Sequence, residues 1–142
     1  MIRYFTEDID FSLSGKAHTK QWLKEVAVRE DRLIGNINII FCSDAYLLDI
    51  NRKFLSHDYY TDIITFDDCE GTTLNGDLFI SIDTVRANAD EYAEGRFCEE
   101  LNRVMVHGIL HLIGYDDHTE EERKVMRKKE NEALSLKSEL EK

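Results

Sequence analysis

A single α+β domain is the fold class that the sequence predicts, built as a mixed sheet of about four strands packed with about five helices. Three observations carry this prediction. Strand-like and helix-like segments follow in the order β-α-β-α-β-β-α-α-α. Adjacent β segments in the middle and helices gathered at the end disfavour a doubly wound α/β sheet. The length of 142 residues suits one domain, which buries roughly 68–70% of its unfolded surface without disulfides. No repeat, low-complexity stretch or Gly/Ser-rich linker divides the chain, so residues 1–142 read as one unit.

The elements follow from local pattern. Ile2 to Phe5 reads as a short strand. From about Thr19 to Glu30, Trp22, Leu23, Val26 and Ala27 recur at helical spacing, and Asp31 to Gly35 closes that helix. Ile37, Ile39 and Phe41 alternate as in a half-buried strand ending at Ser43. Ser43 is a natural N-cap for a helix striped by Tyr46, Leu47, Ile50 and Phe54. Thr61 to Phe66, rich in β-branched residues, reads as a buried strand. Leu78 to Ile82 reads as its partner after a turn at Leu74-Asn75-Gly76. Asp83 is expected to cap a helix through Ala93, with Gly95 as its stop. A long apolar helix spans about Phe97 to Ile113 and breaks at Gly114. Thr119 and Glu122 form a capping box for the last helix, which ends in a charged tail.

Composition narrows the function classes. The chain carries 18 basic and 29 acidic residues, a net charge of −11, which argues against a general nucleic-acid or membrane-surface binder. Any polyanionic partner must be met by a local basic patch. The excess acid is expected on solvated helices and tails, including Glu120 to Glu122 and Glu130 to Glu141. No run approaches the ~18 apolar residues of a membrane span, and the start lacks a signal-peptide pattern, so a soluble, cytoplasmic protein is expected. Cys42, Cys69 and Cys98 form no CxxC pair and read as small buried hydrophobes in a reducing compartment.

The informative stretch is Val106-His107-Gly108-Ile109-Leu110-His111-Leu112-Ile113-Gly114-Tyr115-Asp116-Asp117-His118. His107 and His111 are four apart on a predicted helix, so their imidazoles share one face and can converge on one ion. Gly114 lets the chain turn back and bring Asp116, Asp117 or His118 to the same point, as a three-ligand open zinc site needs. A zinc ion so held lowers the pKa of water toward ~7, which is a hydrolase design. A lone histidine on an apolar helix is more often a hydrogen-bonded core residue. Here three of the five histidines fall within twelve residues, followed by acids and flanked by apolar side chains, and the balance shifts to a metal site. The helical zinc-protease motif HExxH has a glutamate general base after its first histidine; here that residue is Gly108, which argues against a peptidase.

The segment HGILHLIGYDD, the strand TDIITF, the turn-strand GDLFIS, and downstream Met126 and Glu130 together resemble the YbeY family of bacterial endoribonucleases and rRNA maturation factors, over about Leu48 to Leu134. The resemblance implies a single-domain α+β fold and one zinc ion held by three residues of the histidine motif. It implies single-strand-specific endoribonuclease activity in rRNA processing, notably 16S rRNA 3′-end maturation, and in ribosome quality control. RNA in ribosomal particles is the implied partner, with ribosomal proteins or GTPases as the protein partners to seek and no membrane partner.

Two departures from that pattern matter. The family places its third histidine directly after GYD, where this chain has Asp117, and a histidine follows at His118. Met126 and Glu130 keep their places without a gap, so register favours Asp117 as third ligand; imidazole chemistry favours His118. The family's arginine, implied to act on RNA phosphate, falls on Leu55, and Tyr60 stands where proline is usual. Arg52 lies three residues before Leu55, about one helical turn away, and is the candidate substitute. The expected catalytic residues are therefore His107, His111 and Arg52. The metal ligands are His107, His111 and Asp117 or His118. The RNA-binding residues are Arg52, Lys53 and His57. Thr61 and Asp62 are placed either to line the cleft or to complete strand-end hydrogen bonds. Tyr59, Tyr60 and Tyr115 read first as packing residues, with base stacking as the alternative. A non-catalytic ribosome-associated factor with a structural zinc and a metal-dependent hydrolase of a small substrate are the rival readings.

Overall fold

The computed structural model describes residues 1–141. Four strands and five helices follow in the order β1 (Ile2–Glu7), α1 (Lys16–Arg29), β2 (Leu33–Cys42), α2 (Asp44–Leu55), β3 (Ile63–Asp67), β4 (Thr73–Ser81), α3 (Ile82–Tyr92), α4 (Phe97–Ile113) and α5 (Glu120–Leu140). This is the predicted order and the predicted α+β class. The sheet runs β1-β2-β4-β3, with β1 and β4 parallel to β2 and β3 antiparallel to β4. β3 is thus an edge strand.

Strand alternation divides the apolar residues between two faces. Ile37, Ile39 and Phe41 of β2 with Leu74, Leu78 and Ile80 of β4 join Trp22, Leu23, Met105, Ile109 and Leu110 in the larger core. On the other face Cys42, Leu47, Ile50 and Ile64 form a smaller cluster, packed by Phe66 and Phe79 beneath α2. Trp22 is fully buried and its indole N–H donates to the Ala133 carbonyl at 2.8 Å, tying α1 to α5. Each such fully buried large apolar side chain contributes about 1.5–3 kcal/mol. No helix among the described residues is long and apolar enough to cross a membrane.

Capping follows the sequence in two places and departs from it in a third. Ser43 accepts the Tyr46 N–H at 3.1 Å, and the Thr119/Glu122 capping box is complete. The cap of α3 is Ser81 rather than Asp83. Asp83 instead accepts the Asp44 N–H at the start of α2, binding the two helix N-termini together.

The hairpin turn also differs from expectation. Leu74-Asn75-Gly76 lies inside β4, and the chain reverses at 68–72, closed by the Glu70–Thr73 bridge. Asn-Gly is a strong turn signal, but Gly76 is required for another reason. A Cβ there would lie 2.2 Å from the Phe66 carbonyl oxygen. The cysteines differ among themselves: Cys42 is buried, Cys69 half-buried and Cys98 exposed, so only the first fits the expected role fully.

Candidate metal centre

Helix α4 carries the two histidines on its last two turns. One helical turn separates them, and their rings meet edge to face with centroids 4.5 Å apart. Between them Gly108 faces the sheet, where a Cβ would lie 2.9 Å from both Ile63 Cδ1 and Leu78 Cδ1. That close approach seats the helix on β3 and β4 and leaves no room for the glutamate of a zinc-protease helix. Gly114 ends α4 at φ 124°, a conformation that favours glycine, and turns the chain back over the histidines.

The return brings Asp117 to the pair. His107 Nε2 and His111 Nε2 are 3.0 Å apart, and Asp117 Oδ2 lies 3.2 Å from the first and 3.3 Å from the second. A tetrahedral ion with donors about 2.0–2.2 Å away spaces them about 3.3–3.6 Å from one another. The three atoms therefore stand close to the spacing that one ion demands, and the donor set of two imidazoles and a carboxylate suits zinc chemistry. His118 is exposed and lines the same cleft, with its backbone carbonyl accepting from Arg123.

Behind His107 stands a residue whose role the sequence did not reveal. Glu130 of α5 is buried, and its Oε2 accepts from His107 Nδ1 at 2.7 Å while Oε1 accepts from Arg103 at 2.9 Å. The expectation that Glu130 belongs to the solvated acid tail is corrected: His107 and Arg103 supply the partners that a buried carboxylate needs. Donation from Nδ1 leaves the Nε2 lone pair facing Asp117 and His111, as in carboxylate–histidine–metal sites. Burial disfavours the charged form of His107, but the hydrogen bond and charge of Glu130, with Asp117 and Asp62, outweigh it and hold the imidazole pKa above its usual value. Burial likewise opposes ionisation of Glu130, and His107 and Arg103 outweigh it, keeping that carboxyl below its usual range. In the sequence Glu130 is marked only by its place beside Met126 in the family resemblance, which names no role for it.

The three donor residues open into a cleft of about 480 Å³ bounded by β3 and the end of α2, where Asn51, His57, Tyr59, Thr61 and Asp62 also line the wall. Thr61 additionally donates from Oγ1 to the Ile63 carbonyl, so its two readings coexist. Burial raises the Asp62 carboxyl pKa, with the His107 charge opposing that rise. Arg52 and Lys53 are not in the lining: Arg52 is ion-paired to Asp58, and Lys53 to Asp49 at 2.9 Å. Tyr115 is turned away, its hydroxyl donating to Glu30 at 3.0 Å and its ring covered by Lys129, whereas Tyr59 and Tyr60 are exposed rather than packed. A larger groove of about 620 Å³ runs along α5, lined by Lys124, Arg127 and Lys128, but contains none of the three donor residues.

The sequence profile of the family described as Endoribonuclease YbeY matches residues 2–137. A protein named Endoribonuclease YbeY from Phocaeicola vulgatus is 52% identical over 136 residues, covering 96% of this chain and 98% of the relative. One of the same name from Cytophaga hutchinsonii is 49% identical over 136 residues, covering 95% and 94%. A solution structure of a Thermotoga maritima protein superposes with a TM-score of 0.69 at 29% identity, covering 96% of this chain and 89% of that one.

Proposed function

The chain belongs to the endoribonuclease YbeY family, and from that premise we propose that residues 1–142 form a single metal-dependent endoribonuclease domain that hydrolyses phosphodiester bonds of single-stranded RNA. Its substrate class is ribosomal RNA, at the 3′ end of 16S rRNA and in ribosome quality control, met in ribosomal particles in the cytoplasm. The observation that carries this reading is the donor triangle of His107 Nε2, His111 Nε2 and Asp117 Oδ2, with edges of 3.0–3.3 Å.

Zinc is the proposed ion, held by His107, His111 and Asp117. When bound, it supplies Lewis acidity, for making a nucleophile from water at neutral pH and for polarising a phosphoryl oxygen. The protein's own residues do the rest. Glu130 fixes the His107 tautomer and orients its ring. Gly108 lets α4 approach the sheet so that both imidazoles reach the cleft floor. Asp62, whose carboxyl is held toward its protonated form by burial, stands at the cleft wall beside His107. Arg52, Lys53 and His57 are the proposed RNA-binding residues at the rim, Arg52 and Lys53 as its positive charges and Arg52 exchanging Asp58 for an RNA phosphate.

Incubating the purified protein with a single-stranded RNA, with and without chelator, tests this reading. Cleavage is expected to disappear with chelator and in His107→Ala and His111→Ala. A His107→Ala protein that has lost its metal but still cuts RNA overturns it.

A further inference from the structure

We propose that His57 and Tyr59 form a pre-ordered stacking platform that holds an unpaired RNA base beside the metal centre, a specificity element that rests on the endoribonuclease reading above. Among the described residues, no lysine or arginine lines the cleft, while Asp62, Asp67 and Asp117 do. A polyanion gains little from the charge of that wall itself, so beyond what Arg52 and Lys53 offer at the rim, contacts that charge does not supply must add to the binding free energy.

The platform has the geometry for such contacts. The two rings are stacked, with centroids 5.1 Å apart and planes 19° from parallel. The Tyr59 hydroxyl and His57 Nδ1 are hydrogen-bonded at 2.9 Å, locking the rings together. Both residues are anchored to one buried side chain and its backbone: Asn51 Nδ2 donates to the Tyr59 carbonyl at 2.8 Å, and the His57 N–H donates to the Asn51 carbonyl at 3.1 Å. Tyr59 nevertheless remains 56% exposed. An exposed aromatic held this firmly has already lost the freedom that binding would otherwise remove. Leu55, 40% exposed, shares the cleft and adds apolar surface beside the rings. Stacking of this kind accepts any base but requires it to be unpaired, so it selects single strands without reading sequence. Tyr60 is an internal contrast: it is 63% exposed yet lies outside the cleft lining.

The test titrates zinc-loaded protein into a short unstructured 2′-O-methyl RNA carrying 2-aminopurine, whose fluorescence is quenched when the base stacks. Wild-type protein and Tyr59→Trp should quench and bind. Tyr59→Ala should bind about tenfold more weakly with the quench largely lost, within the range of ~1–3 kcal/mol per stacked base, and Tyr60→Ala should match wild type within about twofold. Because the deleted contact is uncharged, the dependence of log Kd on log salt should have the same slope in Tyr59→Ala as in wild type. Equal losses in Tyr59→Ala and Tyr60→Ala, unchanged binding in Tyr59→Ala, or a shallower salt slope in that variant would each overturn the platform. If wild-type protein cuts RNA and Tyr59→Ala still binds normally, the platform alone fails; if wild-type protein neither binds nor cuts, the endoribonuclease reading fails and the platform with it.

Discussion

Glu130 accepts a 2.7 Å hydrogen bond from His107 Nδ1 across 23 residues of sequence, and this one contact decides which nitrogen of the imidazole faces the cleft. It also couples the metal centre to the packing of α5 on α4, because Arg103 shares the same carboxylate at 2.9 Å.

Removing that carboxylate should therefore affect metal and fold separately. Glu130→Gln keeps the volume but weakens the orientation of His107, and a loss of about 10–100-fold in metal affinity is expected. Glu130→Ala leaves Arg103 without its buried partner and should in addition destabilise the fold by about 3 kcal/mol. Competition titration with a zinc indicator measures the first effect and urea denaturation the second. Unchanged metal affinity in Glu130→Gln would show that His107 is oriented without it.

Asp117 and His118 separate by substitution. Asp117→Asn removes the anionic oxygen 3.2–3.3 Å from both imidazoles and should weaken zinc binding by at least about tenfold. His118→Ala, at an exposed position, should change it by less than about twofold. The reverse ranking in an isothermal titration would make His118 the third ligand.

In the sequence Gly108 stands where a zinc-protease helix carries its catalytic glutamate; in the structure it is a packing requirement. Gly108→Glu would recreate the spacing of a zinc-protease helix, but its Cβ meets Ile63 and Leu78 at 2.9 Å and its carboxylate points into an apolar sheet face. A destabilisation above about 3 kcal/mol is expected, from overpacking together with an unpaired buried charge. A well-folded Gly108→Glu protein in thermal denaturation would show that α4 can lift from the sheet.

Why some of this was legible in the sequence and some not has a physical basis. His107 and His111 at i, i+4, the Phe97–Ile113 helix and the Thr119/Glu122 cap depend on interactions within a few residues, and local spacing reports them. Glu130 reads as one more acid in a charged helix, because its burial depends on how α5 meets α4. Asn75-Gly76 reads as a turn for the same reason: only the pairing of β3 with β4 reveals that Gly76 must pass beneath the Phe66 carbonyl. Asn51 reads as a polar residue on a helix, and its role as the anchor of His57 and Tyr59 appears only once the loop folds back onto it.

The cysteines should differ sharply in reactivity. Burial, reinforced by Asp44, Asp83, Asp8 and Glu7, pushes the Cys42 thiol up to about 12, so almost no thiolate forms at neutral pH. Cys98 is exposed on α4. Iodoacetamide at pH 7.5 should label Cys98 in the native protein and Cys42 only after denaturation, as read by peptide mass mapping. Native labelling of Cys42 at a rate like that of Cys98 would mean that β2 opens readily.

Chelation distinguishes a metal that serves chemistry from one that holds the fold together. The core formed by Trp22, Met105, Ile109 and their neighbours closes without any of the three donor residues, so metal-free protein should remain folded, unlike a zinc finger. Metal present at about 100 times its Kd adds about 2.7 kcal/mol through binding alone. For a domain of this size that is a rise in Tm of about 5–10 °C. Calorimetry with and without chelator should show two cooperative transitions separated by that interval. Collapse of the metal-free protein to an unfolded baseline at 25 °C would instead assign the ion a structural role and remove the main physical argument for an open, catalytic centre.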